Sequence, residues 1–266
     1  MDFKTIMFSE PEPGIGLVVL NRPERLNAIN LDMLEEMHEL YERLCLLNRV
    51  RVIILTGEGR GFCSGADLLD ERMRNEAPIL FADAASFLLG VQKKFSNLIL
   101  EMRRLPQPIV AAVRGPAAGG GMSLALASDV VIAAPSSKFI ASFINLGLSG
   151  GELGTTWFLP RRIGLARASE ILMTGRPIEA AEAERTGLIN RLVEDEALLE
   201  TAFQTARMML TKSPMGLRQT KEALNQNLTA PSLEAAIELE NRNQSICAFT
   251  AEFKAAIEAF VKGKQG

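Results

Sequence analysis

Along this chain, short unbroken apolar runs alternate with longer stretches in which apolar residues recur every three or four positions. Ile15–Leu20 is a β-branched apolar run closed by Asn21-Arg22-Pro23, the pattern of a strand entering a turn. Asn30 stands where a helix cap belongs. Over residues 31–44, Leu34, Met37, Tyr41 and Leu44 fall at helical spacing with acids between them, which predicts an amphipathic surface helix. Residues 51–56 form a second continuous strand, stopped by Gly57, and Ile109–Val113 and Val130–Ala133 read the same way. Strands with no polar face, alternating with helices, predict a buried and largely parallel sheet, hence an α/β fold. Residues 77–104 carry Phe81, Phe87, Leu88, Leu89, Val91, Phe95, Leu98 and Leu100 in a pattern nearer helix than strand, with Pro78 and several alanines loosening its start.

Beyond Glu194 the pattern is helical alone, through residues 197–210, 215–225, 233–246 and 251–262. A helical region too small for its own core has apolar faces that must be covered by a neighbour or another subunit. The chain therefore divides into residues 1–194, an α/β core, and residues 195–266, a helical oligomerisation region. There is no internal repeat of fixed period and no low-complexity tract.

With 266 residues, 47% of them hydrophobic, the chain can bury a substantial core. The net charge is −3 and no basic stripe interleaves with aromatics, so nucleic acid is not an expected partner. No run reaches membrane-spanning length and the first residues lack a charged, then apolar, leader pattern, which makes the cytoplasm the expected location and a membrane not an expected partner. Cys45, Cys63 and Cys247 are odd in number and far apart, without metal-ligand spacing, so neither a disulfide nor a metal is expected.

The densest chemistry lies in two small-residue stretches some fifty residues apart, Arg60-Gly-Phe-Cys-Ser-Gly-Ala-Asp67 and Ile109-Val-Ala-Ala-Val-Arg-Gly-Pro-Ala-Ala-Gly-Gly-Gly-Met-Ser123. Glycines such as Gly119, Gly120 and Gly121 let backbone N–H groups approach a ligand where side chains would block them. Taken singly, each stretch reads as a tight turn. Two such loops aimed at one carbonyl make an oxyanion hole, each donor lowering a barrier by roughly 3–4 kcal/mol.

Together the stretches resemble the signature loops of the crotonase (enoyl-CoA hydratase/isomerase) superfamily, and the resemblance runs almost end to end. Asn21-Arg-Pro-Glu-Arg-Leu-Asn-Ala-Ile-Asn30 is similar to that family's early coenzyme A-binding turn, and Leu159-Pro-Arg-Arg-Ile-Gly164, Leu172-Met-Thr-Gly175 and Gly187-Leu-Ile-Asn-Arg191 match later segments. The resemblance implies a ββα spiral core followed by a helical trimerisation region, often assembled as a homotrimer or a dimer of trimers. It implies an acyl-CoA thioester substrate to be hydrated or isomerised, coenzyme A entering as part of the substrate and no separate cofactor. It places the oxyanion donors on the N–H groups of Ala66 and Gly120, and a coenzyme A wall on Arg25, Leu26, Ala28, Ser64, Ala66, Asp67, Leu68 and Gly120. Lys262 and Lys264 either contact coenzyme A phosphates or complement a helix C-terminus.

The chain departs from its relatives where hydratases carry two glutamates, for these positions read Ser123 and Phe143. Neither is a carboxylate base. Ser123 can hydrogen-bond a water or substrate hydroxyl, while Phe143, with Met122 and Trp157, is suited to shape an apolar acyl pocket. The replacement acid is Glu152, within Gly147-Leu-Ser-Gly-Gly-Glu-Leu-Gly-Thr-Thr156; an acid in the same glycine-rich loop serves as base or nucleophile in some superfamily members. The competing reading is a first-turn acid held by the helix dipole. Asp67, Asp129 and Arg114 are expected to orient loops or pair internally, Cys63 to pack as a small hydrophobe, and His38 to be a solvated surface residue. A non-catalytic acyl-CoA binder and an acyl-CoA hydrolase remain the alternatives.

Overall fold

The computed structural model describes residues 3–47, 49–80 and 82–263. Its strands are β1 (Ile6–Glu12), β2 (Ile15–Leu20), β3 (Val52–Gly57), β4 (Ile109–Val113), β5 (Pro116–Ala118), β6 (Val130–Ala133), β7 (Lys138–Ile140), β8 (Ile178–Glu179) and β9 (Arg191–Leu192). One sheet runs β1-β2-β3-β4-β6-β9 and is antiparallel only at the β1/β2 hairpin. A second, smaller sheet runs β5-β7-β8, parallel between β5 and β7.

The unbroken apolar runs are explained by helices on both sides of the large sheet. Alternate residues of β3 serve different cores: Ile53 and Leu55 pack with Leu34, Met37, Leu98 and Met102, while Val52 and Ile54 pack with Leu198, Ala202 and Ala206. Each fully buried leucine or isoleucine contributes roughly 1.5–3 kcal/mol. The expected surface helix spans Leu31–Leu46, and Asn30 caps it by accepting from the Met33 N–H at 2.9 Å. His38 departs from expectation. It is half-buried, its Nδ1 is 2.6 Å from Glu101 Oε2 and its Nε2 is 3.1 Å from the Lys94 carbonyl, so it clamps this helix to the neighbouring helix Lys93–Arg104.

The chain winds as a ββα spiral. Each turn places a strand in the large sheet and then a second extended segment beside the equivalent segment of the next turn: β4 leads to β5, β6 leads to β7, and β5 pairs with β7 as β4 pairs with β6. The same step follows β3, because Cys63 bridges Ala117 of β5, and Ile29 bridges Ala66. Loops distant in sequence are thus stacked neighbours in space.

Residues 77–104 are helical but broken into pieces. Helix Glu71–Leu80 contains Pro78, a short helix follows over Ala84–Phe87, a π turn covers Leu88–Gln92, and helix Lys93–Arg104 completes the run. Phe81 lies outside the described residues. After β9 come helices Leu198–Leu210, Pro214–Asn227, Leu233–Ala248 and Ala251–Gly263. The first closes the second face of the large sheet, so packing of the core continues past residue 194. Helix Pro214–Asn227 is pinned through Lys221, which is buried and donates to the carbonyls of Met102 and Gln107 at 3.2 and 2.8 Å and pairs with Asp129 at 2.9 Å. The last two helices expose Leu233, Ile237, Phe253 and Ile257, and Phe249 is exposed between them. Lys262 is exposed near the end of the last helix, and Lys264 lies outside the described residues. No described helix is long and apolar enough to cross a membrane.

Candidate active site

Stacked spiral turns bring the two glycine-rich loops together. The Cys63 N–H donates to the Pro116 carbonyl at 3.0 Å, and the Ala118 N–H returns a bond to the Cys63 carbonyl at 2.9 Å. Gly121 must lack a side chain, because a Cβ there would stand 2.1 Å from the Cys63 oxygen. Gly65 holds φ at +96°, and a Cβ on it would meet the Ala118 oxygen at 2.8 Å and the Gly120 nitrogen at 3.3 Å.

Ala66 and Gly120, the two expected donors, emerge from this contact. Ala66 is exposed, and Gly120 opens helix Gly120–Ala127, where an N–H has no partner within the helix. Among the described residues neither N–H has a protein acceptor. A helix N-terminus carries a partial positive charge that favours an anion.

The expected coenzyme A wall is tied to the first loop. Leu26 and Asn27 are both left-handed, with φ of 51° and 54°, and buried Asn27 uses its amide to bond the carbonyls of Glu58 and Gly61 and the Arg22 N–H. The Ser64 N–H donates to the Leu26 carbonyl at 3.0 Å, and the Ser64 hydroxyl to the Arg25 carbonyl at 3.3 Å. Arg25 and Leu68 are exposed beside these contacts, and Ala28 is buried. Asp67 is occupied internally: Arg22 donates to Oδ2 at 2.8 Å and the Leu69 N–H to Oδ1 at 3.0 Å. Arg22 was not singled out from the sequence, although its place in the Asn21-Arg22-Pro23 turn was the available signal.

Glu152 is half-buried, and burial raises the pKa of its carboxyl above the ordinary value, against the opposing pull of the Gln92 amide, which donates to Oε1 at 3.0 Å. Its own N–H donates to Thr155 Oγ1 at 3.1 Å. The next residue, Leu153, holds φ at 48°, and its Cδ1 reaches within 3.7 Å of where a Cβ on Gly120 would stand. A bulky residue in that region is strained by about 1–3 kcal/mol, and such strain gathers at functional sites. The side chain of the residue after Glu152 therefore lies against the glycine that opens the helix. Gln92 and Leu153 carry no sequence signal of their own; only the fold brings them here.

The other expected residues are dispersed. Ser123 and Met122 are sealed within the core, and the Ser123 hydroxyl finds no hydrogen-bond partner among the described residues. Phe143 is buried with its ring edge against Gly119. Trp157 is exposed, carries the Arg161 guanidinium over its ring at 3.5 Å, and lines a cavity of about 720 Å³ with Leu100, Leu126, Leu153 and Phe158. Leu153 is shared between the lining of that cavity and the contact with Gly120. Cys63 is buried, which pushes its thiol up to about 12 and leaves it a packing residue. Asp129 pairs internally with Arg103 and Lys221, and Arg114 reaches Asp195 rather than the glycine turn.

Comparison with known proteins agrees with this arrangement. The enoyl-CoA hydratase/isomerase family profile matches residues 10–265. A probable enoyl-CoA hydratase, echA12, of Mycobacterium bovis is 42% identical over 96% of this chain and 89% of its own length. The 1,2-epoxyphenylacetyl-CoA isomerase of Escherichia coli K12 is 37% identical over 96% of this chain and 95% of its own. The crystal structure of a putative enoyl-CoA hydratase from Streptomyces coelicolor A3(2) superposes with a TM-score of 0.90 at 34% identity, covering 98% of this chain and 93% of that one. With the spiral, the stacked glycine loops and these matches in agreement, the chain belongs to the enoyl-CoA hydratase/isomerase family.

Proposed function

We propose that this protein moves a proton on an enoyl-CoA thioester, and that double-bond isomerisation between the 3-enoyl and 2-enoyl forms is its reaction. The observation that carries this is Glu152: a half-buried carboxylate of raised pKa, followed in the chain by Leu153, whose side chain lies against Gly120. The N–H groups of Ala66 and Gly120 hold the thioester oxygen. Glu152 takes a proton from the carbon alpha to the thioester, the electron pair moves into the oxygen as an enolate, and the same carboxyl returns the proton at the gamma carbon as the double bond shifts; the reverse direction uses the same steps. Isomerisation needs one acid that collects and returns one proton. Hydration is the second reading, supported by the probable enoyl-CoA hydratase of Mycobacterium bovis that this chain resembles.

Coenzyme A would lie along Arg25, Leu26, Ala28, Ser64 and Leu68, with the exposed Arg25 guanidinium available to phosphate. The apolar side chains exposed on helices Leu233–Ala248 and Ala251–Gly263 support assembly as a homotrimer or a dimer of trimers, since faces of this kind are covered in an oligomer. Incubating the protein with saturated and unsaturated acyl-CoAs in deuterated water tests the reading. Deuterium enters at Cα or Cγ with the wild-type protein and not with Glu152→Gln; unchanged exchange in that variant removes Glu152 from the reaction, and no exchange or product with any thioester leaves a binding protein.

A further inference from the structure

Between helix Ala84–Phe87 and helix Lys93–Arg104 the chain leaves α-helical register for the π turn Leu88–Gln92. Such a turn inserts a residue and re-aims the side chains that follow, and it recurs at functional sites. The residue that ends this turn is Gln92. Its Nε2 donates to Glu152 Oε1 at 3.0 Å across 60 residues of sequence, while its carbonyl accepts the Ser96 hydroxyl at 2.9 Å and so fixes the turn from below. Thr155 anchors the Glu152 backbone independently. The main chain of the acid is thus held from one side and its carboxylate from another.

We propose that Gln92 is the positioning residue for Glu152: its amide holds Oε1, leaves Oε2 to face the substrate, and favours the carboxylate that must accept a proton. This rests on the reading of Glu152 as the proton carrier. An amide donor bonds a carboxylate more strongly than a carboxylic acid, so it opposes the desolvation that burial imposes.

Several charged groups on the surrounding elements have partners of their own. On helix Lys93–Arg104, Glu101 meets His38 and Arg103 meets Asp129, with Lys93, Lys94 and Arg104 as the further charges; on helix Thr155–Ile163, Arg161 stacks on Trp157 and Arg162 donates to the carbonyls of Leu126, Ser128 and Leu188. Helix Gly120–Ala127 and residues 141–151 carry no charge, and Asp83 is taken up by Ser86. Burial and the Gln92 amide are the influences that set the Glu152 proton.

The test uses the full chain with carboxyl-labelled glutamate, and Glu152→Gln to assign the Glu152 signal. Its titration is followed by NMR alongside the pH profile of deuterium exchange into 3-hexenoyl-CoA. Gln92→Leu should raise the Glu152 titration and the acid limb of the profile by about one pH unit, the weight of one charge-assisted hydrogen bond at a half-exposed site. Gln92→Lys, the second variant should the first not fold, should lower both. An unmoved titration in the folded variants overturns the role of Gln92, even where Glu152→Gln has abolished exchange. Full exchange retained in Glu152→Gln overturns instead the reading of Glu152, and with it the catalytic purpose of this contact.

Discussion

Gly65 and Gly120 approach so closely that a methyl group on the first would stand 3.3 Å from the amide nitrogen of the second. Gly65 also sits at φ +96°, where any other L-residue is strained. Gly65→Ala is therefore expected to push the first loop away from Gly120 and to cut exchange into an enoyl-CoA toward the roughly hundredfold loss that follows removal of one oxyanion donor. Exchange rates measured on a variant shown by circular dichroism to be folded give the answer.

Gly121→Ala should act on stability instead. Its Cβ would stand 2.1 Å from the Cys63 oxygen, a backbone atom that cannot swing aside. Forcing the spiral turns apart should cost about 1–3 kcal/mol or more, as overpacked cores do, and urea unfolding measures it.

Glu152 carries a predicted conflict between stability and activity. A carboxyl whose pKa is raised by folding binds its proton more tightly in the folded than in the unfolded chain. Its contribution is complete below the ordinary value of 4.5 and is lost as pH rises through the folded value. Glu152→Gln should match the wild type in acid and become the more stable protein as pH climbs from 4.5 toward neutrality, while losing about 10²–10⁴-fold in exchange rate. Thermal melts across this range read the first effect; identical melts at every pH would refute it.

Lys221 tests how the C-terminal helices are attached. Burial lowers its pKa, and its ammonium is held by Asp129 and by two backbone carbonyls. Lys221→Met removes a buried charge but strands those acceptors, and Asp129 keeps Arg103 and the Ile109 N–H. A loss of roughly 3 kcal/mol is expected, the low end for breaking a buried pair, with faster amide exchange confined to residues 214–227.

The long strands and helices were legible because their signals are local. Ile15–Leu20, Ile109–Val113 and Val130–Ala133 lie within the bounds their apolar runs predict, and the Asn30 cap bonds the N–H it should. Strands of two or three residues, such as β5, β8 and β9, carry too few residues for a pattern and exist because the neighbouring turn of the spiral supplies their partner. His38 looked solvated because the helix around it is acidic, and Glu101, which holds it, is 63 residues away.

By itself the sequence determined the buried, largely parallel α/β sheet and the small-residue loops, since both follow from residue type at short range: continuous apolar strands need cover on both faces, and only glycine fits where backbones nearly touch. The spiral winding was implied by the family resemblance. Tertiary structure decided which groups meet. That Leu153 lies on Gly120, that Gln92 grips Glu152, and that Ser123 and Met122 are shut inside all depend on how successive turns stack, a relation set by packing between segments that no local pattern encodes.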